Sequence, residues 1–319
     1  MRSIGGYFGI EQNTKDFLHK GSVLLNSGRN ALEYVLRAKG VKRIFLPRYT
    51  CNVIMQPVNK LGIPFEFYSI DNMLEPVFDF SLIDEGDAFL YTNYYSLKDL
   101  YISSLKGYRK NLIIDNAQAL FSTPMEGVDT FYSPRKYFGL PDGGILYTNS
   151  TLEYSLPVDS SMDRFSHLLK RIDVDAEDGY EDFLENDRKL DNQEIHAMST
   201  LTRALLPGID FDYARRMRAA NFEFLQTELG EINDFQNELL QGGGIFCYPL
   251  LMRDGHNVKE KLIQNKIYIP TFWPGLADHV PSGSVERNLY DNLICLPIDQ
   301  RYSIEHMKYI INMVKKIGR

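Results

Sequence analysis

Three short apolar runs between residues 111 and 147 constrain the fold more than any other part of the chain. The first, NLIIDNAQAL, sets Leu112, Ile113 and Ile114 in a continuous β-favouring run and delivers Asp115 at its end. A run apolar on both faces reads as a central parallel strand, and α/β sheets hold ligands at the carboxyl ends of such strands. The second run, Val128 to Tyr132, breaks at Ser133-Pro134 and presents Lys136. The third, Gly143 to Tyr147, follows Asp142-Gly143-Gly144, a strong turn signal. One carboxylate and one lysine thus stand at strand ends 21 positions apart, facing one crevice.

Two readings of that pair compete. One is a salt bridge at a sheet edge, the usual fate of a single Asp and Lys. The other is a site for pyridoxal phosphate (PLP), in which the lysine forms a Schiff base and the acid keeps the pyridine nitrogen protonated, making the ring an electron sink. The lysine must reach its neutral form to attack a carbonyl, which desolvation or a neighbouring cation such as Arg135 favours.

The order of residues sharpens the choice. Asp115-x-x-Gln118, followed by Lys136 and, six positions later, Asp142-Gly143-Gly144, resembles the fold-type I PLP enzymes and, more narrowly, the DegT/DnrJ/EryC1/StrS family of sugar aminotransferases. The resemblance runs from about residue 20 to the C-terminus, and its large-domain motifs are the specific part. It implies that Asp115 contacts the pyridine nitrogen, Gln118 the ring hydroxyl, and that Lys136 carries the cofactor. It further implies a homodimer whose active sites are completed by the neighbouring subunit, an amino-acid donor (glutamate by analogy) and a keto group on a nucleotide-linked sugar as acceptor.

Other stretches fill in the scaffold. LLNSGRNALEYVLRAKG places Ser27 and Gly28 before a helix with Ala31, Leu32, Val35 and Leu36 on one face, closing at Gly40. A small-residue turn opening a helix aims N–H groups at an anion, although an ordinary N-cap explains Ser27 equally well. The family has S-G-T-x-A-L here and binds the cofactor phosphate with it; this chain has Arg29 where the threonine would be. A guanidinium is a bidentate donor to phosphate, or it turns outward to solvent. Strand Arg43–Leu46 leads through Pro47 to Tyr49 and Thr50, then a helix from about Asn52. The family places a ring-stacking aromatic after this threonine, but here the residue is Cys51, leaving Tyr49, Tyr94 and Tyr95 as candidate stacking partners. A third departure is Phe131, where the family has a phosphate-binding serine; Thr130 and Ser133 are the nearby hydroxyls, and Ser133 is the expected substitute.

Strands alternate with helices through 25–150, which predicts a mostly parallel, seven-stranded sheet with right-handed crossovers. We therefore expect an α/β, fold-type I PLP-dependent transferase: an N-terminal arm over 1–20, a large PLP-binding domain over 21–150, and a helical connection with a smaller C-terminal α+β domain over 151–319. In that second part the acid-rich stretch after residue 173 reads as a solvated helical surface. A long amphipathic helix then ends at Gly230, with Arg215, Arg216 and Arg218 set either to meet a diphosphate or, by preference, to form an exposed face with nearby acids. Gly242 to Gly244 lead into the strand IFCYPLLM, and KEKLIQNKIYIPTFWP reads as helix, then strand, then a loop in which Trp273 stacks on a sugar or base or simply packs. Tyr94, Tyr95 and Trp273 are the candidate substrate contacts. Ser303 opens the last helix, and Lys315 and Lys316 suit its C-terminal dipole.

Composition narrows the function classes. A net charge of −7 disfavours a nucleic-acid binder, and three scattered cysteines, Cys51, Cys247 and Cys295, make no metal site and suit a reducing cytoplasm. No apolar run resembles a signal peptide or a membrane span, so a soluble cytoplasmic protein is expected. Two rivals remain: a PLP-binding regulatory module that has lost transamination, motivated by Arg29, Cys51 and Phe131, and a different PLP reaction such as elimination or aldol cleavage. The family's sugar dehydratases replace the lysine, so Lys136 speaks against that branch.

Overall fold

The computed structural model describes residues 17–235 and 244–318. Its centre is an eight-stranded sheet: β1 Val23–Leu25, β2 Arg43–Pro47, β3 Phe65–Ile70, β4 Pro76–Val77, β5 Asp87–Thr92, β6 Leu112–Asp115, β7 Asp129–Tyr132 and β8 Gly144–Tyr147. The spatial order is β1-β8-β7-β6-β5-β2-β3-β4. Neighbours from β3 through β7 run parallel, while β8 lies antiparallel between β7 and β1. The strand beyond the expected seven is β4, which returns antiparallel on β3. Asp71 makes that reversal: its Oδ1 accepts the N–H groups of Met73 and Glu75, and Leu74 takes the left-handed conformation at φ 61°. Asp-initiated turns of this kind need no glycine, which is why the sequence pattern missed it.

Helices α1 Gly28–Lys39, α2 Met55–Lys60 and α3 Asp99–Ser104 cross between strands. The apolar stripe of α1 packs with Ile44, Leu90, Ile113 and Phe131 on one sheet face. Beyond the sheet come α4 Ser166–Asp173, α5 Tyr180–Lys189, α6 Thr200–Leu205 and α7 Phe211–Leu229. The smaller domain then adds β9 Tyr248–Leu251 and α8 Gly255–Gln264, α9 Val285–Asn292, β10 Leu293–Leu296 and α10 Ile304–Ile317, with β9 and β10 paired antiparallel. Ser303 caps α10, its side chain and that of His306 forming a reciprocal pair. The core of the smaller domain is continuous with the other face of the large sheet, joining Phe45, Phe89 and Ile114 to Phe222, Leu250 and Ile311.

Three sequence expectations change. The strand read into Ile267–Pro270 is irregular backbone; Ile267 and Ile269 are buried beneath α8 without a ladder partner among the described residues. The strand in IFCYPLLM is confined to Tyr248–Leu251. Arg218 does not join an exposed face: it is 2% exposed, on the same side of α7 as Ala214, Phe222 and Leu225. The N-terminal arm falls outside the described residues up to position 16; from there Phe17 packs its ring 5.9 Å from Phe211. Of the triple glycine, only Gly244 is described. No helix among the described residues is long and apolar enough to cross a membrane.

Candidate active site

The carboxyl ends of β1, β2, β5, β6 and β7 share one edge of the sheet, and the sequence candidates gather there. Asp115 closes β6, 7% exposed, with Oδ1 accepting the N–H of Ala117 at 2.8 Å. Burial pushes its carboxyl above the ordinary value, while the nearby Lys136 ammonium and the Ala117 N–H pull it back. Lys136 ends the short 3₁₀ turn Pro134–Lys136 after β7 and is exposed. Its N–H donates to the Ser133 carbonyl, and its amine makes no hydrogen bond or ion pair among the described residues. The two charges predicted to face one crevice therefore sense each other without closing into a salt bridge.

Gln118 is buried beside them at 1% exposure. Its Oε1 accepts the N–H of Tyr95 at 3.2 Å, whereas its Nε2 is buried without a partner among the described residues. A buried amide with an unused donor is costly unless a ligand takes the hydrogen bond. Tyr95 and Ser96 both hold left-handed conformations, φ 57° and 64°, which non-glycine residues adopt only under constraint. Ser96 Oγ donates to the Gln118 carbonyl at 2.7 Å, so the strained turn and the glutamine fix each other.

The Ser27-Gly28 turn that opens α1 also reaches this edge. Ser27 caps α1 by accepting the N–H of Asn30, and donates to Asn30 Oδ1 at 2.6 Å. A Cβ on Gly28 would sit 3.7 Å from the Ser133 Cβ, so the first turn of α1 lies directly against the residue chosen as the substitute hydroxyl. The departures resolve differently. Phe131 points into the α1 core, and Thr130 Oγ1 turns back to the Val128 carbonyl. Arg29 neither turns to solvent nor stands free: its guanidinium pairs with Asp191 and, at 3.5 Å, with Asp187 on α5. Arg135 reaches the same Asp187 oxygen at 3.2 Å; its burial, together with Arg29, pushes its guanidinium below the ordinary value, against Asp187.

The aromatic candidates form one buried cluster. Tyr49, Tyr94, Tyr95 and Trp273 are all at or below 6% exposure; Tyr49 and Tyr95 share a hydroxyl hydrogen bond of 2.9 Å, and Tyr49 meets Trp273 edge-on at 4.9 Å. Thr50 is buried beneath them. Cys51, noted in the sequence as a departure, is the side chain from this strand end that feels both Lys136 and Asp115: burial pushes its thiol up and the Lys136 ammonium pulls it back. Sequence reasoning missed Tyr137, whose hydroxyl donates to the Gln118 carbonyl at 2.8 Å, and Asp187. Among the described residues no group of His, Cys, Asp or Glu could hold a metal.

No family model matches the sequence, and no curated protein matches it. Solved structures do. The sugar aminotransferase CalS13 from Micromonospora echinospora aligns at 15% identity over 92% of this chain and 87% of its own, with a TM-score of 0.65. A DegT DnrJ EryC1 StrS aminotransferase from Brucella abortus aligns at 16% identity over 93% and 86%, TM-score 0.64. The chain has the DegT/DnrJ/EryC1/StrS aminotransferase fold. NtdA from Bacillus subtilis, solved with its bound cofactor PMP, shares that fold at 13% identity over 93% and 73%, TM-score 0.66. In this fold-type I architecture the strand-end edge holding Asp115, Lys136 and Gln118 is the crevice expected from the sheet topology alone.

Proposed function

We propose that the protein is a PLP-dependent aminotransferase that moves an amino group from an amino acid, glutamate by analogy, to a keto group on a nucleotide-linked sugar. The observation that supports the reading is the Asp115 carboxyl, buried at the end of β6 within the field of the Lys136 ammonium, with the buried Gln118 Nε2, which has no partner among the described residues, three positions on. The three fit PLP: Asp115 would accept a hydrogen bond from the protonated ring nitrogen, Gln118 Nε2 would donate to the ring hydroxyl, and Lys136 would supply the amine that binds the aldehyde. The α1 turn at Ser27-Gly28, with Ser133 against it, is the seat for the phosphate, with Arg29 and Thr50 beside it and Tyr49 behind.

When bound, PLP supplies the electron sink for loss of a proton from the substrate's α-carbon. The rest belongs to the chain. The Asp115 carboxylate, shielded from solvent, would hold the proton at the ring nitrogen. Lys136 would hold the cofactor and would serve as the general acid and base that moves the substrate's proton. Its exposed amine has the freedom this exchange requires. Tyr94, Tyr95 and Trp273 back the substrate side. By the same analogy the protein is a cytoplasmic homodimer, and sedimentation of the purified chain measures the assembly.

The test is the visible absorption of the protein with PLP, before and after glutamate, beside Lys136→Ala. A band that depends on Lys136 and is bleached by glutamate is the expected result. A band that glutamate and other amino donors leave intact favours the non-transaminating PLP-binding reading, for which the burial of Phe131 and the engagement of Arg29 by two aspartates speak. Absence of any band in the unmodified protein overturns both.

A further inference from the structure

Arg218 is a charge in the interior without a countercharge among the described residues. It replaces an apolar residue in the stripe Ala214, Phe222, Leu225, Leu229 of α7, and among the described residues no carboxylate lies within ion-pair distance of it. Asp299, the acid whose field reaches it, is already gripped by Arg301 Nε and Nη2 at 2.6 and 2.8 Å. Arg218 Nη1 donates to the carbonyls of Ile245 and Phe246 at 3.1 and 2.9 Å, and Nε has no partner among the described residues. An aliphatic side chain would fill the same space without the desolvation cost, so the guanidinium's specific contact calls for a reason.

That contact is with Tyr137, whose ring centroid lies 4.4 Å from the guanidinium carbon. A planar, weakly hydrated cation over an aromatic face is a strong buried restraint, and a lysine does not reproduce it. Tyr137 is held from its other sides as well: its hydroxyl donates to the Gln118 carbonyl at 2.8 Å and meets Ser96 Oγ at 3.1 Å, and its carbonyl accepts Gln300 Nε2 at 2.9 Å. Tyr137 directly follows Lys136, whose own amine has no hydrogen bond or ion pair among the described residues. The one ring thus ties the lysine's turn to the glutamine's loop, and Arg218 clamps the ring from the smaller domain.

We infer that Arg218 is a positioning residue that, through Tyr137, keeps Lys136 and Gln118 in fixed relation to each other. The inference deepens the PLP reading and rests on it for its functional meaning, but its physical content is measurable in the unliganded protein. The experiment compares amide hydrogen exchange in the full chain and in Arg218→Met, Arg218→Lys and Tyr137→Phe. The informative amides are those of Lys136, Tyr137 and Phe138, bonded to Ser133 and Pro134, and of Ala119, bonded to Asn116. Arg218→Met should speed exchange at both groups about tenfold, through more frequent local opening, while β9 and β10 keep their rates. Arg218→Lys, which keeps the charge and loses the plane, should fall between. Tyr137→Phe, which keeps the stack and loses the hydroxyl, should loosen Ala119 more than Phe138, and it serves if Arg218→Met does not fold. Rates within twofold of the unmodified protein at both groups overturn the inference, as does an equal acceleration across β9 and β10, the mark of bulk packing. A second arm titrates PLP: the Lys136-dependent band should weaken in Arg218→Met through a higher apparent Kd. If the unmodified protein gives no band, the PLP reading falls, and the exchange arm still decides the role of Arg218.

Discussion

Gly144 offers a direct way to ask whether the first turn of α1 seats a phosphate. A Cβ at Gly144 would fall 2.9 Å from the Gly28 nitrogen and closer still to the Ser27 carbonyl, distances that real side chains do not show and that involve backbone atoms with nowhere to yield. Gly144→Ala must therefore push the Ser27-Gly28 turn away from β8. Overpacking of this kind costs about 3 kcal/mol, the upper part of its usual range, because no flexible side chain can absorb it. With roughly 2 cal/mol/K of unfolding entropy per residue over 319 residues, Tm should fall by about 4–5 °C. The control is Gly255→Ala at the start of α8, where the new Cβ would lie 2.8 Å from Asn292 Cα and nearer its carbonyl, an equal insult remote from the crevice. The assay is the ratio of apparent affinities for PLP and for pyridoxal, which lacks the phosphate. Losing one or two charge-assisted hydrogen bonds, at about 1.5–3 kcal/mol each, should shrink that ratio by tenfold or more in Gly144→Ala and leave it unchanged in Gly255→Ala. An unchanged ratio in Gly144→Ala, with Tm lowered as expected, would refute the phosphate seat.

Three further outcomes are expected. Because burial raises the folded-state pKa of Asp115 above its unfolded value, its contribution to stability is full below the ordinary carboxylate range and is lost as pH rises through the raised value; Asp115→Asn should remove that loss, making the unliganded protein more stable than the parent in urea at pH 7 and no more stable at pH 4. The Cys51 thiol, pushed up by burial, should alkylate slowly at pH 7 and faster as pH rises, with PLP protecting it, while buried Cys247 stays unmodified until the protein unfolds; peptide mapping after iodoacetamide reads both. Asp142 accepts from the N–H and hydroxyl of Ser199 and from the hydroxyl of Thr202, so Asp142→Ala should strand the Ser199 N–H and the Thr202 hydroxyl, with the Ser199 hydroxyl left to Ser161 Oγ at 2.7 Å, and cost about 3 kcal/mol in urea unfolding.

The residues legible in the sequence were those whose role is set by local order. Asp115 ends an apolar run, so its place at a strand end follows from period and length; Lys136 follows a Ser-Pro break; Ser27 precedes a helical stripe. Each needs only its own neighbours to be placed. Arg29 illustrates the opposite case. Its environment is made by Asp187 and Asp191, more than 150 positions away, and no local pattern says which acid of an acid-rich stretch will fold back onto it. The same holds for the aromatic candidates: Tyr49, Tyr94, Tyr95 and Trp273 sit where a binding platform is plausible, and only the packing of two domains against one another decides that they form a buried cluster.

Arg218 lies between these cases. The α7 stripe at 214, 218, 222, 225 and 229 recurs at helical spacing, and a charge at the second of these positions contradicts the stripe. Read strictly, that contradiction already says the arginine is buried, because the residues one turn to either side of it must be. The neighbouring arginines pull the other way: Arg216 is exposed, while Arg215 is half-buried with its guanidinium 5.3 Å from the Phe121 ring. A lone charge inside an apolar stripe survives only where something specific compensates it, and here the compensation is the ring of Tyr137 and two carbonyls rather than an acid. Position in the stripe thus gives burial, burial without a countercharge demands a purpose, and the partner that meets the demand stands next to Lys136.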